Sequence, residues 1–186
     1  MNDGCLRFVR DVDAAVGAGS IADITSGVQH ALRAATRAGD LRLPERLVSS
    51  RPDAYARRLL HRCPDTGYTI VVMTWGPGQK TELHDHAGMW CVECVVDGAL
   101  NVEQFDVVEE RSERFRFERR KVVRAGVGDA GCLIPPFEYH ILGNALGDRP
   151  SVSVHVYAAE MDHCNLYVDA GDGWWKREAQ SLSYDA

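Results

Sequence analysis

From about residue 54 the chain breaks into short runs of apolar and alternating residues, and turn signals separate them. PDTG, GPG, DG, AGVGD and NALGDRP supply the breaks, the residue types that a reversal of extended chain requires. The runs fall at 54–62, 68–75, 81–87, 90–97, 99–107, 114–124, 131–135, 138–143, 151–158 and 163–169. Strands this short and this regularly interrupted predict an antiparallel sandwich or barrel. Trp174 and Trp175 are expected to pin one more strand near the C-terminus. The charged run VEERSERFRFERRKVVR (108–124) reads as an exposed hairpin with Phe115 and Phe117 turned inward.

Before residue 54 the periodicity is helical. Leu6, Val9, Val12 and Val16 predict a helix over residues 4–17. Ile24, Val28, Ala31, Leu32 and Ala35 form one stripe of a second helix, from about Ile21 to Ala38, with Gly39 as its stop. The expected fold is mainly β: a jelly-roll barrel over 54–178 behind a helical preface over 1–50, in one domain spanning 1–186. At 186 residues, one domain is enough to bury a real core. A net charge of −6 argues against nucleic acid or an anionic membrane as the main partner. The charged N-terminus does not read as a secretory leader, no window is a membrane span, and six cysteines in such a chain are expected reduced. The expected compartment is the cytoplasm.

The chemistry concentrates in HDHAGMWCVECVVDGAL (84–100). Residues two apart on a strand share a face, so His84 and His86 would project together as two ligands of one metal. Gly78 stands six before His84, and Gly98 ends the following strand at a DG pair. A third histidine, His140, arrives in PPFEYHILGN, with Asn144 four residues on. This spacing resembles the two-motif signature of cupins, small jelly-roll barrels. Cys91 occupies the slot where many cupins carry a glutamate ligand. Glu93, two residues further, shares its face and is left unassigned. Three neutral imidazoles with an open face suit catalytic zinc, or a non-haem iron that binds oxygen and substrate together. Cys91 and Cys94 also read as CxxC, but residues three apart on a strand face opposite ways and share no metal or disulfide.

The strand SVSVHVY (151–157) puts Ser153, His155 and Tyr157 on one face and three valines on the other. The polar face meets solvent, or it lines the barrel with the valines packed on the helical preface. In the second case the serine could fix the imidazole and the imidazole could orient the phenol.

Taken together, the HDH pair, a cysteine five residues after its second histidine, HxxxN and SVHVY resemble the cysteine dioxygenases, or thiol dioxygenases more broadly. The resemblance reaches Tyr55-Ala56-Arg57 and covers about residues 55–165. It implies mononuclear iron(II) on His84, His86 and His140, and small thiol and O2 as partners. Arg57 would clamp the substrate carboxylate, with Tyr55 beside it and Trp90 narrowing the pocket. Ser153, His155 and Tyr157 would support catalysis, and Cys91 would join Tyr157 through a thioether, lowering the mass by two hydrogens. The implied reaction oxidises a carboxylated thiol to its sulfinate without an external reductant. Relatives acting on 3-mercaptopropionate commonly carry glutamine at the position of Arg57, which points to L-cysteine. A zinc or manganese cupin isomerase or hydrolase, or a non-catalytic small-molecule binder, would keep the histidines without needing the Cys91 and Tyr157 pair. Cys164 is expected as a buried thiol, and His30, His61 and His163 on the surface.

Overall fold

A computed structural model describes residues 1–17 and 19–186. Helix α1 (Asp3–Val16) begins where the Asn2 side chain accepts from the Cys5 amide, and α2 (Ile21–Ala38) where Ser20 accepts from Asp23. Gly39 ends α2 in the left-handed region, at φ 69°. The buried face of α1 is Cys5, Phe8, Val9 and Val12, whereas Leu6 is exposed, so the apolar stripe is turned from the expected one. A one-turn helix, α3 (Glu45–Val48), follows within the preface.

Eleven strands make up the rest of the described chain. The first sheet has the order β1 (Ala56–Arg62), β2 (Thr69–Trp75), β9 (Ser151–Tyr157), β4 (Cys91–Asp97), β7 (Ala130–Leu133). The second is a ring of β10 (His163–Asp169), β11 (Trp175–Ser181), β6 (Arg114–Gly126), β5 (Ala99–Arg111), β8 (His140–Asn144) and β3 (Leu83–His84). All pairings are antiparallel. Strands β5 and β6 are longer than expected, because their hairpin stays paired from Ala99 and Gly126 out to Arg111 and Arg114.

The core divides by the two-residue period of the strands. On the outer face of the first sheet, Val152, Val154, Val156, Ile70, Val72 and Val92 pack with Phe8, Val12, Val28 and Leu32 of the helices. The valines of SVHVY therefore face the preface, and its polar side chains face into the barrel, fully buried. On the inner face, Val71, Met73, Cys91 and Tyr157 meet Leu100, Leu142 and Cys164. A third cluster of Leu83, Phe115, Phe117, Tyr167 and Trp175 lies on the other side of β3 and β10, with Phe115 and Phe117 inward as expected. Gly98 makes the β4–β5 reversal possible. Its φ is 75°, and a Cβ there would lie 2.3 Å from the Ser151 hydroxyl. The architecture is the cupin jelly roll with an N-terminal helical segment. No helix among the described residues is long and apolar enough to cross a membrane.

Two expectations change. Strand β3 holds only Leu83 and His84; His86 lies past its end, in a turn closed by the Met89 amide on the His86 carbonyl, with Ala87 at φ 53°. His61 is half-buried against Tyr68 and not on the surface, whereas His30 and His163 are exposed.

Candidate active site

Cross-strand register brings the three histidines together. His84 on β3 is the register partner of His140 on β8, which the sequence separates by 56 positions. His86 is carried in by Asp85, whose main chain donates to Asn165 and whose carboxylate accepts from the Asn165 amide at 2.9 Å, its side chain at 2.8 Å and Tyr167 at 3.0 Å. Burial alone would raise the Asp85 carboxyl, but these hydrogen bonds outweigh it and hold it below the usual range. The ring nitrogens of His84, His86 and His140 that could ligate lie within 4.8 Å of one another.

The donor set fits a metal. All three imidazoles are buried, and both nitrogens of His140 and Nδ1 of His86 have no hydrogen-bond partner. Nδ1 of His84 lies 3.0 Å from the Glu82 carbonyl, which places its hydrogen there and leaves Nε2 as a lone pair. Burial, reinforced by the neighbouring imidazoles, pushes His84 down to about 4 and lowers His140 as well. The His84 and His140 rings are therefore neutral at physiological pH, the form that binds a cation.

Glu138, two residues before His140, was not anticipated. It is buried, accepts from the His86 amide at 2.8 Å, and stands 3.5 Å from His86 Nδ1. It holds the main chain that carries His86 and faces its ring, and losing such a supporting partner of a ligand typically costs about 10–100-fold in metal affinity. Glu138→Ala is expected to weaken divalent-metal binding by about that factor, measured by competition with a chelator; an unchanged affinity would remove Glu138 from the site.

His84 and His140 open onto a cavity of about 240 Å³ between the two sheets. Tyr55, Arg57, His84, His140, His155 and Tyr157 line it, with Met161 and Cys164. Arg57 on β1 donates to the main-chain carbonyls of Ser183 (3.1 Å) and Met161 (3.2 Å), and its guanidinium lies 5.5 Å from the Tyr184 ring centroid. The Asp185 side chain also accepts from the Arg57 amide at 2.8 Å. Residues beyond the expected barrel limit of 178 thus hold the candidate carboxylate clamp. Tyr55 stacks on Trp75 with ring centroids 4.8 Å apart.

Cys91 and Tyr157 are direct register partners across β4 and β9, and both are buried. Burial and the nearby Glu93 raise the Cys91 thiol, with the phenol opposing as its hydrogen-bond partner. Burial and then Cys91 raise Tyr157. Both groups are protonated at neutral pH. Cys164 is buried and pushed up to about 11, an inert thiol in the cavity wall. Cys94 points the other way from Cys91, into the helix-facing core.

Two side chains are not where they were expected. Trp90 does not line the cavity; one residue out of phase with Cys91, it packs in the outer cluster with the helices. His155 makes no hydrogen bond to Tyr157; the rings stack at 6.0 Å, 15° apart. Its Nε2 meets Ser153 Oγ at 2.8 Å and its Nδ1 faces Glu93 at 3.5 Å. Trp75, unremarked in the sequence, donates to Ser153 Oγ at 2.9 Å.

Residues 45–170 match the family model for cysteine dioxygenase type I. Cysteine dioxygenase type 1 from Rattus norvegicus and from Homo sapiens are each 22% identical over 100 residues, 54% of this chain and 49% of theirs. The chain thus spans about half the length of these curated relatives. A Klebsiella pneumoniae protein with a double-stranded β-helix domain is 19% identical, with a TM-score of 0.47 over 62% of this chain and 88% of that one. A cupin 2 conserved barrel protein from Rhodopseudomonas palustris is 18% identical, with a TM-score of 0.47 over 64% and 74%. With more than half of its length matched by the family model, the chain belongs to the cysteine dioxygenase type I family.

Proposed function

We propose that the protein is an iron-dependent thiol dioxygenase that oxidises a small carboxylated thiol, with L-cysteine as substrate, to the sulfinate in the cytoplasm. One observation carries the reading: of three buried imidazoles whose ring nitrogens lie within 4.8 Å of one another, His84 and His140 line one cavity together with Arg57 and Tyr157. His84, His86 and His140 would hold the iron, which when bound would bring thiol and O2 into contact and pass electrons between them.

The chain's own residues do the rest. Arg57 presents a fixed guanidinium to the substrate carboxylate, and its hold on two carbonyls keeps it aimed into the cavity. That clamp sets where the sulfur lies and removes the entropy of finding the histidines. Tyr157, kept protonated by burial, donates a hydrogen bond where charge develops on the reacting atoms. Met73, Met161 and Leu166 exclude water from the sulfur. Cys91, opposite Tyr157 in register, restrains the phenol, and the thioether between them is part of the proposal.

Oxygen uptake by iron-loaded protein across cysteine, 3-mercaptopropionate, cysteamine and mercaptosuccinate tests this reading. The expected result is uptake with cysteine, one O2 per thiol, and a sulfinate product; no uptake with any of the four rejects it. Metal analysis of protein purified without added metal separates it from a zinc or manganese isomerase.

A further inference from the structure

A second cavity, of about 160 Å³, enters the barrel beside β5, β6 and β7. Its walls are largely apolar, including Val95, Val102 and Val123, and Glu93 and Ser153 also line it. Neither of those two lines the metal cavity, whereas His155, between them and the metal cluster, does. Glu93 is the register partner of His155, its Oε2 stands 3.5 Å from His155 Nδ1, and neither atom has a hydrogen-bond partner among the described residues.

Counting hydrogens gives the chain a direction. The Trp75 indole can only donate, so it takes a lone pair of Ser153. The single Ser153 hydroxyl hydrogen then has His155 Nε2 as its acceptor, 2.8 Å away. Nε2 is therefore the bare nitrogen, and the ring hydrogen sits on Nδ1, facing Glu93. The other tautomer would strand the Ser153 hydrogen without an acceptor among the described residues.

We propose that Glu93 is the positioning residue of His155: it accepts the Nδ1 hydrogen, locks that tautomer against the Tyr157 ring, and exchanges its own proton with solvent through the second cavity. Its bearing on catalysis rests on the dioxygenase reading, since His155 and Tyr157 line that site. Glu93 is 12% exposed and lines the second cavity, enough for cavity water to reach the carboxyl. The groups around it are His155 and Tyr157 on β9, Cys91 and Cys94 on its own strand, Cys132 on β7, Lys121 on β6 and Asp129 in the preceding turn. Gly131, directly opposite on β7, offers no side chain. Burial without a compensating partner pushes Glu93 up to about 8, and burial holds His155 down to about 3. The pair is therefore neutral at pH 7. Above about 8 the carboxyl gives its proton to cavity water, and the carboxylate binds the Nδ1 hydrogen more strongly.

Long-range proton–nitrogen spectra of ¹⁵N-histidine-labelled, zinc-loaded protein read the tautomer directly, with the His155 signals identified by their loss in His155→Gln. The expected result is an Nδ1–H ring at pH 7 whose shifts move with one inflection near 8. Glu93→Gln, whose amide oxygen still accepts, should keep the tautomer and lose the inflection; Glu93→Leu should give a mixture of tautomers. An Nε2–H ring in the unaltered protein, or an inflection that survives Glu93→Gln, would overturn the proposal. Should Glu93→Leu fail to fold, the other two samples still decide. The spectra need no turnover, so a failed oxygen-uptake assay rejects the functional reading and leaves the tautomer result standing.

Discussion

His140→Ala is expected to abolish both tight metal binding and oxygen uptake while leaving the fold intact. His140 is 1% exposed, and neither ring nitrogen has a partner in the protein. A buried polar ring without a hydrogen bond costs stability, and this offsets the packing on His84 and His86 that the metal-free protein loses when the ring goes. The cation loses one of three ligands. The loss in affinity should exceed the roughly 10–100-fold that removal of a supporting hydrogen bond costs. Thermal unfolding separates the two effects. Without metal, the variant and the parent should melt close together. With iron(II) added, only the parent should gain stability, because ligand binding raises the melting temperature through the folded state alone. A variant that still gains stability from iron and consumes oxygen would show that His140 is not a ligand.

Arg57→Ala is expected to raise KM for cysteine by about 30–150-fold, the loss of a charge-assisted contact worth about 2–3 kcal/mol. Cysteamine, which has no carboxylate, supplies the contrast: its KM should change little. Lysine would be a poor replacement, because the fork of Arg57 donates to the carbonyls of Ser183 and Met161, which a single ammonium could not keep while also meeting a carboxylate. An unchanged KM for cysteine, in protein that melts like the parent, would take Arg57 out of the substrate site.

Much of the site was legible because strand periodicity is local. SVHVY declared that Ser153, His155 and Tyr157 share a face, but left open whether that face met solvent or the barrel, which the packing of the valines on the helices decided. The CxxC pair was dismissed on the same ground, and Cys91 and Cys94 do lie in different clusters. The turn residues marked nearly every strand end. Less was legible where one residue of phase decides. Trp90 looked like a pocket residue because it adjoins Cys91, yet adjacency along a strand means opposite faces. Leu6 read as core for want of one position of helical rotation. HDH was read as one strand, but pairing ends at His84, and Asp85 carries His86 onward through its bonds to Asn165 and Tyr167.

The amino-acid sequence by itself determined the succession of helices and strands, which residues of SVHVY share a face, and the HDH and HxxxN motifs that carry the histidines. Those depend on the period of the backbone and on residues close together in the chain. Tertiary structure alone decided what stands opposite each face. It set Glu93 against His155, Glu138 against His86, Trp75 against Ser153 and Tyr55, and the carbonyls of Met161 and Ser183 against Arg57. The physical reason is that these pairs follow from inter-strand register and chain reversal across many residues, which local hydrophobic patterning does not encode.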